Sequence, residues 1–506
     1  MSDRTPPVRS AEIIGNRADD WRFGRVIYQI FVDRFAPSRN LEEKAPHYTK
    51  PRRLKGWEEL PERGTYLPEY RVHEAETQFW GGDLQSVASK LDYLQRLGTD
   101  VIYLNPIFLA YSNHKYDCID YFTIDPQYGN LDDLRSLVRA AHARGMRVIL
   151  DGVFNHMGRR ADWFQKAEQD ATSAERHFFS FDEKHKNGYL GWRNVANLPE
   201  VNLENDEIRS RLIDGVDSVV QFYLREIDID GWRLDVAPDV GFQYLRVITE
   251  NSRAAKHDAV VIGECWNYPE EWLTVMDGIL NMHARTLILE LCQNRMTPAH
   301  ASRCFAQMVE DGGIEGILKS HLVLDNHDTP RLGTLIADDD DRRIARCLQF
   351  LLPGSPVVYY GTELGMKGGA DPENRAPMRW DLEADDNAEF ALTKKLIALR
   401  RENPALTHGD FRRLESDTLF AFLRLTEKAR ETVIVLVNPT RVEAHGIVPI
   451  RDSRLMDAAQ MECVLTGERA TLHCGFIEIT LPPQSVRVFR TVDRGDDGGY
   501  TAFKRV

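Results

Sequence analysis

The chain has few features that would tie it to a membrane, to nucleic acid or to an oxidising compartment. Its 506 residues include only seven cysteines, an odd number without a Cys-x-x-Cys pair, which predicts neither a disulfide framework nor a zinc finger. No apolar run approaches the roughly 20 residues of a membrane span, and the first residues form no apolar signal segment. The formal net charge of −14 argues against nucleic acid and anionic membranes as partners. We therefore expect a cytoplasmic protein with a small-molecule substrate.

Short apolar segments alternate with amphipathic stretches over most of the chain. An alternation of strand and helix patterns of this kind predicts parallel strands joined by right-handed crossovers. Eight strands are predicted, at 26–31, 101–105, 146–154, 227–236, 259–264, 277–282, 321–326 and 356–361. Eight such units predict an α/β protein built on a closed (β/α)₈ TIM barrel.

The alternation is interrupted at places that predict the domain organisation. We expect a loose N-terminal arm (1–20), a catalytic barrel (21–156 and 209–403), a small domain inserted after strand three (157–208), a C-terminal antiparallel β-sandwich (404–492) and a flexible tail (493–506). The stretch 31–78 is also long and rich in proline, so it and the insertion are expected to wall the active-site face of the barrel.

Charged and polar residues close several of the predicted strands. A parallel barrel gathers the carboxyl ends of its strands around one pocket. Because burying an unpaired charge is unfavourable, charged residues at these positions indicate a functional site. The residues singled out in this way are Asp151, Asn155, His156, Arg233, Asp235, Glu264, His327 and Asp328, with His114 and Tyr116 after strand two.

Asp235 and Glu264 suit cleavage of a glycosidic bond. They lie on neighbouring strands about 4.8 Å apart, so their carboxyl groups could approach the roughly 5–5.5 Å of a retaining glycosidase. Arg233 precedes Asp235 by two residues and faces the same side of the strand. We expect Arg233 to keep Asp235 ionised as nucleophile while Glu264 stays protonated as acid/base.

The motifs around these residues resemble those of the α-amylase family, glycoside hydrolase family thirteen. DGVFNH (151–156), GWRLDVA (231–237), GEC (263–265) and LDNHD (324–328) resemble its four main regions, in order. LPEVN (198–202) resembles its fifth motif, and NHKYD (113–117), FWGGDL (79–84), PVVYYGTELGM (356–366) and DPENRAPMRW (371–380) also match.

The resemblance implies a role for each matched residue. It implies Asp235 as nucleophile, Glu264 as acid/base and Asp328 as transition-state stabiliser, with Arg233 as partner of the nucleophile. Substrate contacts are implied for His114, Tyr116, Asp151, His156, His327, Asp371 and Arg375, and Trp266 suits stacking of a sugar on the leaving-group side.

Within the family, the sequence is most similar to neopullulanases, cyclomaltodextrinases and maltogenic amylases. Those enzymes usually carry an N-terminal β domain, whereas here the first barrel strand is predicted near residue 26, and monomer or homodimer stays open. The expected activity is retaining hydrolysis of α-1,4 bonds in maltodextrins, cyclodextrins or other short or cyclic α-glucans, with α-1,6 bonds left open. An α-glucan transglycosylase and an ordinary α-amylase acting on starch are the alternatives.

Two further interpretations concern metals and lost activity. A metal-dependent hydrolase would use Asp151, His156, Glu264 and Asp328 as ligands, but the usual ligand spacings are missing. A non-catalytic glucan-binding relative would normally have lost a carboxylate, and none is missing. No cofactor is expected for catalysis, and Asn155 and Asp83 are weak candidates for a structural calcium site.

Overall fold

Eight parallel strands close into a barrel in the computed structural model, which describes residues 11–384 and 386–492. The barrel strands are β1 (Ile27–Ile30), β2 (Val101–Leu104), β3 (Arg147–Gly152), β4 (Gly231–Leu234), β5 (Val260–Cys265), β6 (Gly278–Asn281), β7 (His321–Leu322) and β8 (Ser355–Tyr359). Each pairs with its neighbour in chain order, and β1 also pairs with β8 to close the ring. The eight predicted strands are confirmed, although most are shorter than the sequence pattern indicated.

The barrel strands are apolar on both faces, as expected of a sheet covered on its outside. Alternate residues point inward, where they form a separate core, and outward, where they pack against helices. Ile27, for example, belongs to the inner core while its neighbour Tyr28 belongs to the outer one. The inner core is completed by Val101, Tyr103, Ile149, Val260, Ile262, Leu280, Met282, Val323 and Val357.

Helices cover the outside of the barrel. The helix Leu131–His142 shows how the sequence specifies such a helix. Asn130 caps it by accepting hydrogen bonds from two N–H groups of the first turn, and the apolar face of the helix is buried. The other helices that surround or adjoin the barrel are Leu84–Ala88, Leu91–Leu97, Val219–Glu226, Phe242–Ala255, Met282–Cys292, Pro298–Gly312, Ile314–Lys319, Asp339–Leu351, Ala388–Arg401 and Pro404–His408.

The expected loose N-terminal arm is wrong for the part that the structure describes. Residues Ala11–Asp19 form a helix. Its Arg17 side chain is 2% exposed and donates hydrogen bonds to Glu315 and Asp410, 2.7 and 2.9 Å away, so the helix is tied to both the barrel and the C-terminal domain. Composition alone indicated a solvated segment, whereas one buried arginine fixes it. Residues 1–10 lie outside the described part.

The segment 157–208 follows β3 and consists of short elements. A helix at Asp162–Gln169 and a 3₁₀ helix at Ala174–Phe178 are followed by isolated β-bridges, among them His156 with Glu200 and Phe179 with Val201. Asn197 donates a hydrogen bond of 2.8 Å to Asp117 in the segment after β2. These contacts fix the insertion against the carboxyl end of the barrel.

The last part of the described chain is an antiparallel β-sandwich, as predicted. A six-stranded sheet contains Asp410–Arg413, Phe420–Leu425, Val433–Asn438, Ser485–Thr491, Gln460–Cys463 and Arg469–Thr471, in that spatial order, and a two-stranded sheet contains Ala444–Pro449 and Phe476–Leu481. A separate apolar core lies within this domain. The predicted tail, 493–506, lies outside the described residues. No helix in the described ranges is both long and apolar enough to cross a membrane.

Candidate active site

One buried guanidinium organises the carboxyl ends of β3, β4 and β5. Arg233 is fully buried, and its Nη1 donates hydrogen bonds to Asp151 (2.8 Å) and Asp235 (2.9 Å). Its Nη2 lies 2.9 Å from Glu264 Oε2, as an ion pair without hydrogen-bond geometry. In the barrel register Arg233 is paired with Asp151 on one side and Ile262 on the other, which explains this reach. Three carboxylates thus share one cation.

Glu264 is held from two further directions. The N–H of Val236 donates to its Oε2 (3.1 Å), and the indole N–H of Trp266 donates to its Oε1 (3.0 Å). Val236 has φ 40°, ψ 47°, a left-handed conformation that is strained for a β-branched residue. Such strain gathers at functional sites. It turns the chain just after Asp235, so that Asp235 and the Val236 N–H both face Glu264.

Asp235 and Glu264 are largely but not wholly buried, with 7% and 6% of their surface exposed. Neither acts as the ordinary strand-end cap of a following helix. The short helix Ala237–Val240 has no side-chain cap, so Asp235 has no such structural role.

Asp328 lies beside a second arginine. Arg375 Nη2 is 3.4 Å from Asp328 Oδ1, and His327 Nε2 is 3.2 Å from its Oδ2. Arg375 also faces Asp371 at 3.4 Å and donates from Nε to the His327 carbonyl at 2.8 Å. Asp371 is exposed, so this pair lies at the edge of the site. Asp328 does not cap the helix Leu332–Leu335, since Asp325 accepts the Leu332 N–H instead.

Tyr116 connects Asp151 to His327. Its hydroxyl donates to Asp151 Oδ2 (2.9 Å) and lies 2.6 Å from His327 Nε2, and its ring stacks on the imidazole with centroids 5.4 Å apart. Tyr103 donates a further hydrogen bond of 2.6 Å to Asp151. Asp151 therefore holds Arg233 and two phenols.

Two other histidines, His114 and His156, lie near these groups on the segments that follow β2 and β3. His114, partly exposed, lies 3.4 Å from Glu76 of the 31–78 stretch. His156 is buried, and its Nε2 has no hydrogen-bond partner in the described chain although it lies 3.8 Å from Asp235 Oδ2. A buried polar atom without a partner is unusual, and it leaves this nitrogen able to form one more hydrogen bond. Trp192 of the insertion stacks on the His156 ring, 5.5 Å between centroids.

Burial dominates the electrostatics of the site. It raises the pKa of Asp235 well above the ordinary 3.8, against the lowering effect of Arg233, and Glu264 adds to the rise. Burial likewise raises the pKa of Asp328 and Asp151. It lowers the pKa of His156 to about 3, so that ring is neutral.

The expectation that Arg233 keeps Asp235 ionised while Glu264 stays protonated is wrong for Asp235, because burial raises the pKa of Asp235 in spite of Arg233. Arg233 contacts both Asp235 and Glu264. The two carboxyl groups differ in their other neighbours. Glu264 accepts hydrogen bonds from Trp266 and Val236, whereas Asp235 faces the unpaired nitrogen of His156.

The weak calcium candidates have other partners. Asp83 caps the helix Leu84–Ala88 by accepting the Ser86 N–H, and its other oxygen pairs with the ammonium of Lys44. Asn155 lies next to His156, 3.4 Å from its Nδ1. Across residues 11–384 and 386–492, no three His, Cys, Asp or Glu side chains meet in an arrangement able to hold a metal ion. Arg233 occupies the centre that a metal-dependent hydrolase would need, so these residues do not fit a metal.

Sequence reasoning missed several residues of the site. Gln29 and Asn105, polar residues at the ends of β1 and β2, bond to each other and reach His327 and Tyr116. A glutamine inside an otherwise apolar strand could have indicated that Gln29 belongs to the site. Trp192 and Asp239 are joined by a hydrogen bond, and nothing in their local sequence indicates this pairing.

A TIM barrel with four carboxylates (Asp151, Asp235, Glu264 and Asp328), two arginines and three histidines grouped at the carboxyl ends of its strands defines a carbohydrate-cleaving enzyme of the glycosidase type. The chain belongs to the α-amylase family and is a glycoside hydrolase: the model of the α-amylase catalytic domain matches residues 29–437. It is 34% identical to a cyclomaltodextrinase of Geobacillus thermopakistaniensis, over 92% of this chain and 77% of that protein. It is 32% identical to neopullulanase 2 of Thermoactinomyces vulgaris, with the same coverage of both chains.

Solved structures agree with this assignment. The cyclic α-maltosyl-(1→6)-maltose hydrolase of Arthrobacter globiformis, in complex with that cyclic sugar, superposes with a TM-score of 0.78 at 27% identity. The match covers 93% of this chain and 99% of that one. The two chains thus share one fold over most of this chain and nearly all of that one.

Proposed function

We propose that the enzyme is a retaining hydrolase of short or cyclic α-glucans and that Asp235, Glu264 and Asp328 perform the chemistry. The observation that carries this proposal is the sharing of Arg233 by Asp235 and Glu264, which holds the two carboxyl groups side by side. Close carboxyl groups belong to the retaining mechanism, whereas inverting enzymes need room for a water molecule between them.

In the first step, an Asp235 oxygen attacks the anomeric carbon and the bond to the leaving oxygen breaks. The proton on Glu264 passes to that oxygen, so the leaving sugar departs as an alcohol and a glycosyl ester remains on Asp235. In the second step, Glu264 removes a proton from water, which attacks the same carbon and releases Asp235. Asp328 stabilises the positive charge that develops on the sugar ring in both steps.

The remaining site residues bind the sugar. His156 Nε2, unpaired and 3.8 Å from Asp235, is available to bond a ring hydroxyl, and the His327 ring, 3.2 Å from Asp328, lies beside the second carboxylate. We assign His114 and Tyr116 to the same sugar, and the ion pair of Asp371 with Arg375 to the preceding sugar. Trp266 is 55% exposed and bonded to Glu264, so it offers a stacking surface for the leaving sugar.

Two loop segments support a preference for small or cyclic substrates. Arg71 of the 31–78 stretch donates to the Tyr189 hydroxyl of the insertion at 3.4 Å, and Trp192 reaches Asp239 beyond β4. These contacts join the insertion to the 31–78 stretch and to the chain beyond β4. The relatives named for cyclodextrins, pullulan and a cyclic maltosyl-maltose are in keeping with this preference.

A substrate panel with product chromatography tests the proposal. We expect faster cleavage of cyclodextrins, maltotriose and cyclic tetrasaccharides than of starch, with retained anomeric configuration. Asp235→Asn and Glu264→Gln should each lower kcat by several orders of magnitude without loss of folding. An inverted product, or near wild-type activity in either variant, would refute the assignment.

Transfer to a sugar acceptor is the alternative outcome of the second step. The covalent intermediate is the same, and only water or a sugar hydroxyl differs. Raising the maltose concentration and measuring longer products separates the two activities.

We also propose a cytoplasmic site of action, supported by seven cysteines that are all free thiols and by an intracellular maltogenic amylase of Bacillus subtilis, 36% identical over 78% of this chain.

A further inference from the structure

A chain of hydrogen bonds behind the sugar site begins at Gln29, on a barrel strand with no proposed catalytic role. Gln29 is 1% exposed, and its Nε2 lies 3.1 Å from Asn105 Oδ1 and 3.0 Å from His327 Nδ1. Asn105 in turn donates from Nδ2 to the Tyr116 hydroxyl at 3.1 Å. The chain ends where Tyr116 meets Asp151.

The direction of every bond follows from Asp151. Its carboxylate oxygens accept hydrogen bonds from Arg233 and Tyr103 and have no proton to donate. The single hydroxyl proton of Tyr116 therefore points to Asp151. The Tyr116 oxygen must then accept from His327 Nε2, 2.6 Å away, which places a proton on that nitrogen. A neutral ring protonated at Nε2 leaves Nδ1 as an acceptor, and the amide of Gln29 supplies the donor that it needs.

We propose that Gln29, oriented by Asn105, is a positioning residue that holds His327 as the neutral ring protonated at Nε2. The single Nε2 proton is then donated to the Tyr116 oxygen, which fixes the orientation of the His327 ring beside Asp328. The role for the sugar rests on the proposed function, whereas the protonation pattern does not.

The charges around the ring favour the neutral form. Burial lowers the pKa of His327 well below its usual value, and the cations Arg375 and Arg233 lower it further, while Glu264 opposes them. The other ionisable groups that face the ring are Asp328, Tyr116 and His114.

Nuclear magnetic resonance on protein carrying ¹⁵N-labelled histidine tests the proposal directly. At pH 7 we expect an unprotonated Nδ1 and a protonated Nε2 for His327, with the signals assigned by their loss in His327→Gln. A proton on Nδ1, or on both nitrogens, would overturn the proposal whether or not the enzyme cleaves glucans.

Gln29→Glu gives a second readout. A carboxylate can only accept from Nδ1, so the variant should move a proton to Nδ1 and lower kcat about 10–100-fold, a range typical for lost orienting partners. The ratio of variant to wild-type kcat should rise as the pH falls, because the introduced carboxyl group can again donate once it is protonated. A ratio that is flat with pH would contradict the role.

Gln221→Glu is the matched control. Gln221 is also buried, and its Nε2 donates to an asparagine, Asn251 Oδ1, at 2.8 Å, but no histidine is bonded to it. We expect this variant to leave both the His327 signals and the pH profile unchanged. Gln29→Met, which removes the donor without adding a charge, should give mixed protonation of the ring and a smaller loss of kcat.

Discussion

The indole N–H of Trp192 donates a hydrogen bond of 3.0 Å to Asp239, which joins the inserted segment to the chain just beyond β4. The same indole stacks on His156, whose Nε2 faces Asp235. The bond therefore sets one edge of the cleft. The backbone after Trp192 is unusual as well, with positive φ at Arg193 and Asn194.

Removing this bond should reduce activity on short glucans. Trp192→Phe keeps an aromatic ring but loses the donor, and Asp239→Asn weakens the acceptor. Each should lower kcat/KM for maltotriose about 2–10-fold, the equivalent of one hydrogen bond. If the two act through one bond, the double variant should be no worse than either single variant. Fully additive losses would show that Trp192 and Asp239 act separately.

The pH profile should show a raised acid limb. Asp235 attacks only as a carboxylate, and its pKa lies well above 3.8 because the group is buried. As pH falls through that raised pKa, Asp235 takes up a proton and kcat/KM should decline, at a pH where an ordinary aspartate would still be ionised. Measurement of kcat/KM across the acid and neutral range checks this. Full activity down to about pH 4, the ordinary pKa of an aspartate, would contradict the raised pKa.

Asp235→Asn should stabilise the inactive protein at neutral pH. The raised pKa means that the folded state binds the proton more tightly than the unfolded state, so ionisation of Asp235 above that pKa weakens the fold. The neutral amide avoids this, and we expect a Tm about 2–4 °C higher at pH 7. The gain should shrink as pH falls through the pKa of Asp235. Scanning calorimetry at several pH values measures it.

Arg17→Ala should lower thermal stability. The substitution removes a buried cation bonded to Glu315 and Asp410 and leaves those carboxylates with fewer partners. We expect a Tm lower by several degrees with kcat unchanged. Arg303→Ala, an exposed position on the helix Pro298–Gly312, is the control and should change Tm by less than about 1 °C.

Chelation should leave the enzyme intact. Asp83 caps a helix through Ser86 and pairs with the Lys44 ammonium, so both carboxylate oxygens already have partners and their negative charge is balanced. Excess chelator should change neither Tm nor kcat, and adding calcium afterwards should also leave both values unchanged. A drop in Tm that calcium reverses would show a metal site that these contacts do not explain.

The sequence pattern predicted the barrel well because apolar strands and helix signals are local. It also placed Asp235, Glu264 and Asp328, since each follows an apolar strand. It failed where long-range contacts decide: nothing near Arg17 reveals Glu315 and Asp410, and nothing near Trp192 reveals Asp239. The strain at Val236 was equally invisible, because a valine in a left-handed turn contradicts local preference and is imposed by its surroundings.

The closure of the barrel through β1 and β8 has a consequence for synthesis of the chain. Ile27 pairs with Val357 as well as with Val101, so one edge of β1 has no strand partner until most of the polypeptide has left the ribosome. An open sheet edge invites pairing with other chains. A strand formed early at β1 would therefore keep one edge open until β8 is synthesised, and slow translation would lengthen that interval.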